Sequence, residues 1–160
     1  MPEAAQQAPA AEQSGAQPGV FNDPYRAYNF KLEIQGVVEG HFTEVIGIGA
    51  RVQAIKYWEG GTSQQVHVIP GRVEYADIEL RYGLTASREL FDWFMTAING
   101  QVERKNVAII MLDSQGVTEV MRWNLIDAWI REWRGAPLDA AKGQLALESV
   151  VLVYTQLQRA

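Results

Sequence analysis

Apolar and polar side chains alternate from the first ordered-looking stretch of the chain. Tyr28, Phe30, Leu32 and Ile34 share one parity, while Asn29, Lys31, Glu33 and Gln35 take the other. Strand side chains point to opposite faces in turn, so this pattern predicts a half-buried strand ending at Gly36. A second strand is expected from about Gly40 to Ile48, with Gly47 and Gly49 allowing a bend or bulge. Arg51 to Trp58 and Gln64 to Ile69 flank Glu59-Gly60-Gly61-Thr62, a hairpin signal, and Pro70-Gly71 is expected to close the hairpin. Another strand follows, with Ile78 and Leu80 on one face and Asp77, Glu79 and Arg81 on the other.

The period then changes. Leu90, Phe94 and Ile98 recur every four residues, flanked by Phe91, Trp93, Met95 and Ala97. This marks an amphipathic helix with Thr85 as N-cap, Glu89 in its first turn and Asn99-Gly100 at its end. Its apolar face is wide enough to seal a sheet edge or a barrel mouth. Val107 to Leu112 reads as a continuous apolar strand, turned by Asp113-Ser114-Gln115-Gly116 into a long strand from Thr118 to Trp133. Apolar parity shifts within that strand, from Met121, Trp123 and Leu125 to Ile126, Ala128 and Ile130, which places a bulge near Leu125–Ile126.

The closing stretch, Gln144 to Leu157, is apolar on both faces. Leu145, Leu147, Val151 and Val153 point one way, and Ala146, Val150, Leu152 and Tyr154 the other. A sheet with one wet face would alternate instead. The chain's own helix or second sheet, or another subunit, must cover the second face. The element order of strands, one helix and strands predicts a mainly β fold, with no repeat and no second domain.

Composition narrows the function more by exclusion than by assertion. At 160 residues the chain is expected to fold as one domain over residues 22–160, and with no cysteine it has no disulfide, thiolate metal site or cysteine nucleophile. A net charge of −5 argues against a nucleic-acid-binding surface, and no apolar run reaches the length of a membrane span. Residues 1–21 form an Ala/Gln/Pro/Gly-rich tail without the features of a secretory signal, so disorder and cytoplasmic synthesis are expected. A linker to a missing partner is the sharper reading of that tail, and a frayed terminus the plainer one.

Candidate chemistry is sparse. His41 and His67 fall on different predicted strands with no ligand-spaced neighbour, and surface or interface histidines account for both. Asp77 and Glu79 could form a carboxylate pair, but Arg81 continues their row and makes a solvated charged face the simpler reading. Gly47-Ile48-Gly49 lacks the rest of a dinucleotide fingerprint. Ser63, Ser87, Ser114 and Ser149 read as turn, helix-start and strand serines. The five tryptophans suggest a carbohydrate-stacking platform, but Trp93, Trp123, Trp129 and Trp133 fall on the helix and one strand, where burial is the plainer account. Only Trp58, near the hairpin tip, is expected to be exposed. No enzyme, metal or cofactor is indicated.

An ordered set of motifs resembles the tail-tube proteins of contractile phages and of extracellular contractile injection systems. It runs D-P-Y-R-A-Y-N-F (Asp23 to Phe30), F-T-E-V-I-G (Phe42 to Gly47), Y-W-E-G-G (Tyr57 to Gly61), I-P-G (Ile69 to Gly71) and I-E-L-R-Y-G-L-T (Ile78 to Thr85). After the helix come I-I-M-L-D (Ile109 to Asp113), R-W-N-L-I-D-A-W (Arg122 to Trp129) and L-A-L-E-S-V-V-L-V-Y (Leu145 to Tyr154). The family pattern often has Pro after the Ala-Trp pair, where this chain has Ile130; the departure bears on the strand's bulge and leaves the fold intact.

The resemblance implies a two-sheet antiparallel β-sandwich or barrel-like protomer with one flanking helix and an extended hairpin. It implies hexameric rings stacked into a hollow tube inside a contractile sheath, with baseplate and tail-terminator proteins as further partners. The cargo would be DNA or protein, and no membrane anchoring is implied. Such a tube is assembled in the bacterial cytoplasm as part of a virion tail or a released particle. Ring closure would cover a two-sided strand and remove exposed sheet edges. On this reading Val150, Val151, Leu152, Val153 and Tyr154 form an inter-subunit sheet, and Tyr57, Trp58, Glu59, Gly60 and Gly61 stack one ring on the next. The ring protein of type VI secretion is a close variant. From a different class, the alternative is a monomeric β-sandwich that binds carbohydrate or a small ligand.

Overall fold

The computed structural model describes residues 29–160 except 36, 40–41, 62–64 and 85–86. The expected tail (residues 1–21), His41, Ser63 and the proposed N-cap Thr85 lie outside the described residues. In chain order the elements are β1 (Phe30–Ile34), β2 (Val37–Glu39), β3 (Phe42–Ile46), β4 (Ala50–Trp58), β5 (Val66–Tyr75), β6 (Ile78–Gly83), α1 (Glu89–Ile98), β7 (Lys105–Leu112), β8 (Glu119–Arg134), β9 (Leu147–Val153) and β10 (Gln156–Arg159). Eight strands form one antiparallel hydrogen-bonded path, β2-β1-β7-β8-β9-β6-β3, with β10 also paired to β8, while β4 and β5 form a separate two-stranded ribbon.

The long strand β8 belongs to two sheets. Its first half lies between β7 and β10, and its second half pairs with β9. The corner between them sits where the sequence placed a bulge. Val107 faces Leu125 while Lys105 faces Ala128, so β8 spends an extra residue there. That residue step includes Asp127, held at a left-handed φ of 54°. The β9–β10 segment bends at the same level, where the Thr155 amide donates to the Ile126 carbonyl at 3.0 Å. A second bulge separates Ile130 from Glu132.

Folding at this corner brings the two sheets onto one core. Leu32, Ile34, Val107, Ile109 and Leu125 come from the first sheet, and Ile78, Leu80, Ile130, Val150 and Leu152 from the second. Leu32, Ile78, Leu80, Leu125, Val150 and Leu152 are completely buried, and each such side chain stabilises the fold by about 1.5–3 kcal/mol relative to exposure.

Helix α1 covers one end of this core, though through a different residue from the expected line. Trp93 is its buried residue, with Leu90 and Phe94 packed partly against the core, while Ile98 is 60% exposed. The Trp93 indole donates to the Glu103 carbonyl at 2.7 Å, and the Lys105 ammonium lies 5.3 Å from its ring centre. Phe91 meets Trp133 edge to face at 5.1 Å. The N-cap position is Arg88, which makes no side-chain cap.

Two strand boundaries also differ from expectation. Pro70-Gly71 does not close the hairpin, because β5 runs through both to Tyr75. The closing stretch is two strands rather than one, and Leu145 lies before them in an exposed loop.

Candidate assembly surfaces

The ribbon β4–β5 gathers many of the exposed large apolar side chains, among them Val52, Ile55, Tyr57, Trp58, Val66, Val68, Ile69 and Val73. Every β4 residue is exposed, as are most of β5. Ile55 faces Ile69 and Tyr57 faces His67 on one side. On the other, Val52 faces Val73, Ala54 faces Pro70, Lys56 faces Val68 and Trp58 faces Val66. Trp58 is 62% exposed, as expected from the sequence. Exposed apolar groups gathered in this way mark interaction surfaces, and an isolated two-stranded hairpin is marginal in water.

Pro70 fits within β5 because the ladder is irregular there. Between the Val52–Val73 and Ala54–Pro70 pairs, β5 advances three residues while β4 advances two. Proline cannot donate to a ladder and is tolerated at such bulges. Gly71 fills the bulge, since a Cβ there would stand 3.0 Å from the Gln53 carbonyl and the Ile55 side chain. At the tip, Glu59 lies 3.8 Å from His67; Gly60 and Gly61 form the turn.

The ribbon continues β3 and β6 across a break. Gly47, Ile48 and Gly49 leave one strand, Ala76 and Asp77 the other, and the Ala76 amide donates to the Gly49 carbonyl at 2.9 Å. Gly47 has φ +95°, and a Cβ there would collide with the Asp77 carbonyl oxygen. Tyr154 packs against this break: its ring lies 5.6 Å from that of Tyr75, and its hydroxyl donates to the Gly49 carbonyl at 3.4 Å. Burial, followed by the nearby Asp77 charge, raises the Tyr154 pKa.

The second sheet's outward face carries a chain of alternating charges. Arg81 bonds Glu44 at 3.0 Å and Glu79 at 3.1 Å, while Arg134 bonds Glu132 at 2.6 Å and approaches Glu79 at 3.9 Å. The hydrogen bonds to Glu79 and Glu132 are the leading causes of the raised pKa of Arg81 and Arg134 respectively. Asp77 pairs separately with Arg131 at 2.8 Å. Of the two carboxylates singled out in the sequence, Glu79 thus sits in a charged row whose members come from β3, β6 and β8, and Asp77 pairs outside it. Glu44, Glu132 and Arg134 escaped notice because strand pairing, not spacing along one segment, brings them together.

Of the five residues assigned to an inter-subunit sheet, Val150, Val151, Leu152 and Val153 occupy an interior strand. Strand β9 is paired on one side with β6 and on the other with β8, so no edge remains for a neighbouring subunit to pair with. Val150 and Leu152 belong to the protomer's own core. Val151, on the opposite parity, faces Glu79 and Glu132 across its two ladders and is 6% exposed under the charged row. Tyr154 lies beyond β9, at the base of the ribbon. Among the described residues, the unpaired edges of the second sheet are instead β3 and the part of β8 beyond Ala128 on its β7 side.

No group of three metal-ligating side chains occurs among the described residues, and no helix among them is long and apolar enough to cross a membrane. Residues 26–158 match the family model for the T4-like virus tail tube protein gp19. The chain belongs to that family.

Solved structures agree with the assignment. An extracellular contractile injection system, the PVC sheath–tube complex in its extended state, contains a chain with a TM-score of 0.76 and 25% identity, covering 86% of this chain and 91% of that one. The PVC sheath/tube terminator in its extended state gives 0.78 and 25%, with 88% and 99% covered. A protein of a type six secretion system gives 0.55 at 9% identity, with 83% of each covered, which shows a shared fold. No curated protein sequence matches the chain significantly. This tail tube protein is an inner-tube building block of contractile injection machinery. The injection-system tube chain, at a TM-score of 0.76, is nearer in fold than the type six secretion protein, at 0.55.

Proposed function

We propose that this tube protein closes into hexameric rings that stack into a hollow conduit, surrounded by a contractile sheath and bounded by baseplate and terminator proteins. The conduit carries DNA or protein cargo, in a phage tail or a released injection particle assembled in the bacterial cytoplasm. Residues 22–160 form the assembling unit, and residues 1–21 are dispensable for it. The observation carrying this reading is the exposed apolar ribbon on a protomer whose core is otherwise complete. Its tip residues Tyr57 to Gly61 grip the next ring, while the open β3 and β8 edges meet neighbours within a ring. The outward face of β9 and the following turn, from Val150 to Tyr154, lies along that lateral contact. A head-to-tail contact of this kind closes a ring or extends a filament, and it removes the exposed edges.

Electron microscopy of purified protein tests the proposal. Rings and tubes are expected for the natural sequence. The double substitution Tyr57→Ser, Trp58→Ser should leave single folded rings that fail to elongate. A dispersed monomer at high concentration would overturn the assembly reading. Tubes of normal length from the double variant would overturn the role of the tip.

A further inference from the structure

The ribbon joins the protomer through a break, not through a continuous sheet. The β3–β6 ladder ends at Ile46–Glu79, and the β4–β5 ladder begins at Ala50–Tyr75. Between them the Ala76 amide donates to the Gly49 carbonyl at 2.9 Å, and Gly47 and Gly49 supply backbone freedom. No residue of β4 or β5 belongs to the core cluster, so burial does not fix the ribbon's direction. The ribbon is also a long lever. Nine β4 residues span about 30 Å at ~3.3 Å each, so a swing of about 10° at the base moves the tip about 5 Å.

The Tyr154 side chain bridges this break. Its backbone is held to the body on both flanks: Val153 pairs with Trp129, and the Thr155 amide donates to the Ile126 carbonyl at 3.0 Å. Its ring packs partly against the core and lies 5.6 Å from the ring of Tyr75, the last residue of β5. Its hydroxyl donates at 3.4 Å to the carbonyl of Gly49, the residue before β4. One side chain anchored at the corner between the sheets therefore meets both strands of the ribbon at their base.

We propose that Tyr154 is a positioning residue that latches the ribbon to the corner of the protomer and presents its tip at one angle before another copy is met. The consequence for assembly rests on the stacking function above; the latch itself does not. An unlatched ribbon samples many directions, and apparent affinity falls with the fraction of time that the competent form is populated. Ring and hydroxyl contribute unequally. The hydroxyl bond is long and shares its acceptor with the Ala76 amide, so the ring contact with Tyr75 carries the latch. Asp77, paired with Arg131 at 2.8 Å, holds the body side of the break, which confines movement to the segments nearer the ribbon.

Distances within one protomer test the latch without any assembly. The chain has no cysteine, so Gly60→Cys at the tip and Gln115→Cys in the exposed β7–β8 turn provide two unique sites for spin labels. A Cβ at Gly60 meets nothing within 4 Å. Pulsed electron paramagnetic resonance of dilute labelled protein, mixed with unlabelled chain, reads the spread of tip positions. The natural background should give one narrow distance distribution, and Tyr154→Phe should keep it. Tyr154→Ala and Tyr75→Ala should each widen it about twofold or more. Tyr75 lies outside the core cluster, so its variant folds even if Tyr154→Ala does not; circular dichroism melting checks both.

Unlabelled protein tests the consequence, with negative-stain microscopy and sedimentation velocity reading the concentration needed for elongation. That concentration should rise about tenfold in the alanine variants, as for a competent form populated about one time in ten. Natural width in Tyr75→Ala, or in folded Tyr154→Ala, overturns the latch, as does a distribution already broad in the natural background. Widening in Tyr154→Phe overturns the ring's leading part. Widening in the alanine variants without any change in elongation overturns presentation of the tip as the latch's role. Absence of tubes from the natural chain, with the distributions as expected, counts against the stacking function and leaves the latch standing.

Discussion

The Asp127 backbone amide donates to Asn106 Oδ1 at 3.2 Å across the corner where β8 passes from one sheet to the other. Asp127 holds φ at 54°, a region that costs most L-residues about 1–2 kcal/mol and that Asp and Asn enter more readily. The Asn106 carbonyl also accepts from the Gln35 amide at 2.9 Å, so one residue ties β1, β7 and β8 together. Asn106→Ala should lower protomer stability by about 1 kcal/mol through the lost hydrogen bond. Asp127→Val should cost about 1–2 kcal/mol or more, while Asp127→Gly should cost less than either. Urea unfolding of dilute protein measures all three. Equal stability of the valine and glycine variants would show that the corner carries no backbone strain.

Parity made much of this fold legible. The shift from Leu125 to Ile126 located the corner to within two residues, and the alternation around Ile78 and Leu80 identified which side faces the core. The two-sided closing strand was visible, but its cover was not. Sequence shows that Val151 is apolar; only the register shows that Glu79 and Glu132 flank it within the protomer. Pro70-Gly71 misled because the pair is a turn signal in isolation, whereas a bulge lets β5 pass through it. The tip aromatics were legible because nothing local required them. Tyr154, at the end of the apolar run, gave no sign of its contact with Gly49, over a hundred residues away.

Val151 separates protomer stability from assembly. Because it is buried beneath Glu79 and Glu132, Val151→Asp places a further carboxylate among acids whose arginines are already paired. Stability of the dilute protomer should fall by about 3–5 kcal/mol, the range for an unpaired buried charge. Val151→Thr should cost much less. If Val151→Asp unfolds at the natural urea concentration but fails to assemble, the residue acts at a subunit contact and its burial in the protomer is incidental.

The β7–β8 turn should respond to acid. Asp113 Oδ1 accepts from the Val117 amide at 3.0 Å and the Thr118 amide at 3.2 Å. These bonds, that from Val117 first, hold its carboxyl below the usual value of 3.8, against a smaller opposing effect of burial. A depressed native pKa means that the ionised group contributes stability above its unfolded value and loses it as pH falls through the lower native value. The stability advantage over Asp113→Ala should therefore be constant from neutral pH to about pH 5 and should shrink below about pH 4. Urea midpoints of both proteins across pH 2.5–7 would show it. A difference that does not change over that range would mean that turn geometry alone, without the charge, carries the effect.

Gly47 governs the direction in which the ribbon leaves the protomer. Its φ of +95° is open to glycine, and a Cβ would strike the Asp77 carbonyl oxygen, which belongs to backbone and has little room to yield. Gly47→Ala must therefore move the Gly47–Gly49 and Ala76–Asp77 segments apart, disturbing the Ala76–Gly49 hydrogen bond and the seat of Tyr154 on Gly49 and Tyr75. Gly49 is the matched control, since a Cβ there would lie 3.8 Å from that of Ala76, an ordinary contact. The core does not depend on either position, so both alanine variants should fold. Gly47→Ala should lose about 2 kcal/mol and roughly 5 °C in melting temperature. Its larger effect should fall on assembly: rings that form but stack poorly, because the tip arrives displaced from the next ring. Gly49→Ala should melt and elongate as the natural chain does. Tubes of natural length from Gly47→Ala, despite a lowered melting temperature, would show that the ribbon finds its partner regardless of the angle set at its base.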